Sequence, residues 1–170
     1  MKKILFPTVG ALIALTMVVG QYAYAATSAI VAATVTVETI TVSVTSGTVN
    51  YGTLSLNTAT TTIALGQTQT ATNNGNVAED LQIKGKNSTG VGAGWTLAAA
   101  AGNEIYMHDY STSTGATWTH LTLAYNTLST TTVPTSGTQK FDLKINTPTA
   151  TTQFDQQSVD VTVLATRHYP

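Results

Sequence analysis

Apolar and hydroxyl-bearing residues alternate one for one through Thr34-Val35-Thr36-Val37, Thr39-Ile40-Thr41-Val42-Ser43-Val44 and Asp160-Val161-Thr162-Val163. A period of two places the apolar set on one face of an extended strand and the hydroxyls on the other, which no helix can do. The same pattern recurs in Leu121-Thr122-Leu123-Ala124-Tyr125 and Phe141-Asp142-Leu143-Lys144-Ile145. Turn chemistry such as Pro134-Thr135-Ser136-Gly137 and Asn146-Thr147-Pro148 bounds these runs. Residues 49–56, 60–65 and 67–72 read as further strands, and Asn73-Asn74-Gly75-Asn76 as a tight hairpin turn. The one helix-prone stretch, residues 97–107, is cut short by Gly102-Asn103 and reads as strand into loop. The chain is therefore expected to be all-β: a single antiparallel β-sandwich, immunoglobulin-like or jelly-roll.

What fills the polar strand positions is as informative as their spacing. Thr, Ser, Asn and Gln stand where a soluble monomer carries Lys and Glu, and only 9% of residues are charged, against about a quarter in ordinary domains. A wet but nearly neutral surface resists self-association poorly.

Lys2-Lys3, the apolar run through residues 4–20 and Ala23-Tyr24-Ala25 form the pattern of a cleaved signal peptide, with cleavage expected after Ala25. Processing leaves 145 of the 170 residues, enough for one core. It removes two of the seven basic residues, so five face eight acidic ones, a formal charge of −3. That balance argues against nucleic-acid binding, and no membrane span is expected after processing. With no cysteine there is neither a disulfide framework nor a lipid-anchored Cys. An extracellular or cell-surface location then leaves release, non-covalent wall binding or polymerisation as fates.

The reading divides the chain into a signal peptide (1–25), an N-terminal extension or donor strand (26–38) and a β-sandwich (39–170). The phase of the first alternating run slips: Val35 and Val37 share one parity, and Ile40, Val42 and Val44 the other. Either a bulge lies near Glu38-Thr39 or two strands meet there. In the second case the extension is free to pair with a neighbouring subunit, and Ile30, Val31, Val35 and Val37 are its candidate assembly residues.

No catalytic constellation, metal site or cofactor motif is read. His108, His120 and His168 lack metal-ligand spacing, and Tyr106-Met107-His108-Asp109-Tyr110 reads as a polar, aromatic-rich loop. Glu79-Asp80 near Asn73, Asn74 and Asn76 offers oxygen ligands without the spacing of a calcium loop. Tyr106, Tyr110 and Trp118 are the candidate exposed contacts to a polysaccharide or cell wall.

Gly92-Ala93-Gly94-Trp95-Thr96-Leu97 resembles the first motif of WxL-domain proteins, exported β-rich proteins that associate non-covalently with Gram-positive cell walls. The overall plan of cleaved leader, apolar N-terminal segment and one Cys-free β domain resembles camelysin-type biofilm fibre subunits and surface threads built by donor-strand exchange. The second resemblance implies a non-enzymatic subunit of a surface filament that binds copies of itself. The first implies a wall- or polysaccharide-binding module.

Overall fold

The computed structural model describes residues 28–169; the leader and its cleavage site lie outside the described residues. The chain divides into two units, Met1–Val35 and Thr36–Pro170. In the first, the described residues 28–35 belong to no strand and are exposed.

The second unit is all-β, with no helix among the described residues, and so none that is long and apolar enough to cross a membrane. Its strands in chain order are β1 (Val42–Thr45), β2 (Ala59–Thr61), β3 (Gln69–Asn73), β4 (Glu79–Lys84), β5 (Thr89–Gly90) and β6 (Thr96–Leu97). They continue as β7 (Ile105–Ser111), β8 (Thr119–His120), β9 (Asn126–Thr127), β10 (Thr138–Asn146), β11 (Gln157–Ser158) and β12 (Thr162–Arg167). A seven-stranded sheet has the order β1-β3-β10-β7-β6, with β2 also on β10 and β8 also on β7. Facing it is a three-stranded sheet, β12-β4-β9, and β11 and β5 form a small separate ribbon. All pairings are antiparallel except β6 with β7.

β10 organises the larger sheet. Its first residues pair with β3 and its last with β2 and β7. Phe141, Leu143 and Ile145 on one face enter the core with Ala71, Tyr106 and Tyr110, opposite Leu81 and Ile83 of β4. The core residues of β4 and β10 thus follow the period of two.

Several local expectations are corrected. Residues 49–56 and 121–125 form no strand of their own; in the first, apolar parity changes at Gly52, from Val49 and Tyr51 to Leu54 and Leu56. Tyr106-Met107-His108-Asp109-Tyr110 is a loop by sequence but lies in β7, the central strand beside β10, with Tyr106, His108 and Tyr110 all buried. Nor is Asn73-Asn74-Gly75-Asn76 a hairpin turn, because β3 and β4 belong to different sheets.

That Asn-rich turn is instead a clamp on the start of the domain. Asn76 Nδ2 donates to the Val37 carbonyl (2.9 Å), and Asn76 Oδ1 accepts from the Thr39 amide (2.8 Å). Glu79 Oε1 accepts from the Thr41 amide (2.8 Å), and Arg167 pairs with Glu38 at 2.8 Å. Gly75 serves close approach here, since a side-chain carbon would strike the Thr39 carbonyl and the Glu79 carboxylate. The phase slip near Glu38-Thr39 thus falls in a segment held by these side chains and by backbone bonds from the Asn76 amide to the Thr39 carbonyl (3.1 Å) and from the Asn74 amide to the Thr41 carbonyl (2.9 Å), just ahead of β1. Asn76→Ala removes two of these bonds at an exposed site and is expected to lower stability by about 1 kcal/mol. Urea unfolding measures the loss, and amide exchange should quicken at Thr39.

Candidate groove between unpaired segments

A three-stranded sheet cannot cover the inner face of a seven-stranded one. Beyond the edge of β12, that face is roofed by two stretches that belong mostly to no strand, residues 47–56 and 153–161. Between them lies a cavity of about 1250 Å³, floored by Phe141, Leu143, Ile145 and His108 and walled by Val44, Val49, Leu54, Val159, Val161 and Val163. Its volume exceeds the range of about 300–1,000 Å³ typical of small-molecule pockets. Phe154, 82% exposed, stands at the rim.

The walls are fixed by polar contacts at their ends. Gln67 brackets Asn50 by accepting from its amide (2.8 Å) and donating to its carbonyl (3.3 Å), and Thr147 Oγ1 donates to the Ser55 carbonyl (2.7 Å). On the other side, the Thr151 hydroxyl (2.7 Å) and the Thr152 amide (2.5 Å) donate to Glu104 and hold its carboxyl below the usual range. Lys86 bonds Asp160 at 2.8 Å and lowers that carboxyl too. Between these anchors the walls have no ladder partners, apart from the short β5–β11 ribbon.

The lining mixes apolar and polar side chains, and two of the polar ones are paired with each other. Tyr51 Oη is 2.9 Å from His108 Nε2, and their rings meet edge to face at 5.8 Å. Burial pushes the Tyr51 hydroxyl up and the His108 ring down to about 4, so both are neutral at pH 7.

The candidate contact residues separate. Ile30, Val31 and Val35 are 93%, 88% and 90% exposed, and the Val37 side chain is exposed while its carbonyl is held by Asn76. Tyr106 and Tyr110, expected as exposed contacts, are buried in the core because the parity of β7 turns both inward. Their hydroxyls donate to the Lys86 carbonyl (2.5 Å) and the Thr127 carbonyl (2.8 Å). Trp118 is half-buried, with Lys144 Nζ over its ring at 5.1 Å. The same ammonium reaches Asp109 Oδ2 (2.9 Å), whose Oδ1 meets His120 Nδ1 at 2.5 Å. Lys144, Asp109 and His120 face one another on β10, β7 and β8, and this network braces the outer face of the sheet.

Among the described residues no group of three or more His, Cys, Asp or Glu is placed to hold a metal ion. Of the side chains that suggested oxygen ligands, Asn73 and Asn76 bond to backbone, Asn74 bonds the Ser43 hydroxyl, Asp80 faces His168, and Glu79 accepts from the Thr41 amide through Oε1 alone. Sequence reasoning missed Tyr51, His108 and Gln157 as groove residues; the parity change at Gly52 was the available signal for an unpaired wall. Comparison with protein-family models, curated proteins and solved structures returns no match, so the functional reading of this chain rests on its own geometry.

Proposed function

We propose that this chain is an exported, non-enzymatic structural subunit that polymerises at the cell surface by strand exchange, the extension of one copy filling the groove of the next. The single observation that carries this reading is the groove itself: a trough over core residues, flanked by two stretches that belong mostly to no strand. An added strand supplies main-chain hydrogen bonds to the walls and sets alternate side chains against their half-buried apolar residues.

The chain carries a segment of matching character. Val31, Ala33, Val35 and Val37 share one parity, and Thr34 and Thr36 the other. The eight residues 28–35 reach roughly 26 Å when extended. The clamp at residues 37–41 gives the extension a fixed root. A contact of this kind joins unlike surfaces head to tail, need not close, and so propagates as a fibre. The alternative of a wall- or polysaccharide-binding module loses two of its three aromatic contacts to the core and finds the third beneath a lysine.

Negative-stain microscopy and size-exclusion chromatography of the processed protein test the proposal. Polymers are expected from the processed chain, and a folded monomer from a chain that also lacks residues 26–35. Fibres from the truncated chain, or a strictly monomeric parent at high concentration, refute it.

A further inference from the structure

Four buried polar side-chain atoms have no hydrogen-bond partner among the described residues, and two of them, His108 Nδ1 and Gln157 Nε2, belong to residues that line the groove. Buried polar groups are nearly always satisfied, so two orphans in one trough need an explanation.

Both orphans are donors. The Tyr51 hydroxyl has no acceptor among the described residues other than His108 Nε2, so we assign its proton to that bond and the neutral ring's proton to Nδ1. The Ser88 hydroxyl accepts from the Trp95 amide (2.5 Å) and donates to Gln157 Oε1 (2.9 Å), which leaves the amide NH₂ unused. Gly90 makes room for that amide, because a side-chain carbon there would lie 2.7 Å from Gln157 Nε2. One donor comes from the floor and the other from the wall, and each requires an oxygen acceptor.

We propose that His108 and Gln157 are the specificity determinants of the groove: their Nδ1–H and Nε2–H bond carbonyl oxygens of the strand inserted from a second copy of this chain. An extended peptide presents carbonyls at regular intervals, whereas an aliphatic occupant would leave both donors buried and unpaired. The two fixed donors would also set register, which a row of valines and alanines specifies weakly. This inference rests on the strand-exchange reading above.

The test compares polymer and monomer with the same substitutions. Gln157→Met, and Tyr51→Phe with His108→Phe, remove each donor while keeping side-chain bulk. Both changes are placed in the processed chain and in a Val35→Asp background that blocks insertion. Polymer lifetime after dilution into guanidinium is expected to fall roughly tenfold for each change, with a smaller loss, or a gain, in the unfolding midpoint of the blocked monomer. Polymers as long-lived as the parent's, or a monomer weakened as much as its polymer, overturn the assignment. Should the aromatic double variant fail to fold, Gln157→Met alone decides. Failure of the strand-exchange reading is visible separately, in an unsubstituted chain that forms no polymer.

Discussion

Val35→Asp is expected to abolish polymerisation while leaving the domain folded. Val35 is 90% exposed and lies outside the β unit that begins at Thr36, so an aspartate there disturbs no core packing. The inserted strand, by contrast, would carry its carboxylate against the half-buried apolar lining of Val44, Val49, Leu54, Val159, Val161 and Val163. An uncompensated charge taken out of water costs several kcal/mol even after relaxation. With a factor of ten for every 1.4 kcal/mol, affinity should drop about a thousandfold or more. Parity supplies the control: Thr34→Asp introduces the same charge one residue away on the opposite face, and its polymers should persist. Sedimentation and microscopy of the two variants separate the alternatives. Equal polymerisation by both would refute insertion of the Val35 face, and equal failure would mean that charge and not insertion governs assembly.

The fold was legible where one physical constraint acted alone. Phe141-Asp142-Leu143-Lys144-Ile145 alternates because one face is core and the other is covered by polar groups, and β10 follows it residue by residue. Tyr106-Met107-His108-Asp109-Tyr110 was misread because its polar letters suggested a loop. In β7 the inward His108 is accommodated by Tyr51 and the outward Asp109 by His120 and Lys144, partners 11 to 57 residues distant in sequence. No local pattern encodes such pairings, although the i, i+2, i+4 spacing of Tyr106, His108 and Tyr110 is itself a strand period. The turn at Asn73–Asn76 shows the converse: Asn-Gly carries a strong local signal for a hairpin, but tertiary context uses the amides to grip residues 37–41 and the glycine for clearance. The groove had no sequence signature beyond interrupted alternation, since it is defined by what two distant segments fail to pair with.

Acidification should weaken this fold through one buried ring. His108 is 1% exposed, and burial lowers its pKa from 6.5 to about 4, with the Asp109 carboxylate offsetting only part of the effect. Above pH 6.5 the ring is neutral in both folded and unfolded chains and stability is unaffected. Between pH 6.5 and 4 the unfolded chain binds a proton that the native state refuses, so stability falls with pH and levels off below about 4. At about 1.4 kcal/mol per unit, the full window is worth about 3 kcal/mol, a large share of the stability of a single domain. Urea midpoints measured across that window on the assembly-blocked monomer should trace the loss, and replacing Tyr51 and His108 together by phenylalanine should flatten it. The ion pairs of His120 with Asp109 and His168 with Asp80 are common to both chains and cancel in the comparison. Because His108 lies buried beneath the groove, its protonation would place a charge under the site that receives the donor strand, so polymers should dissociate more readily as stability falls. Parallel pH profiles for the parent and the double-phenylalanine chain would show that His108 is not the responsible group.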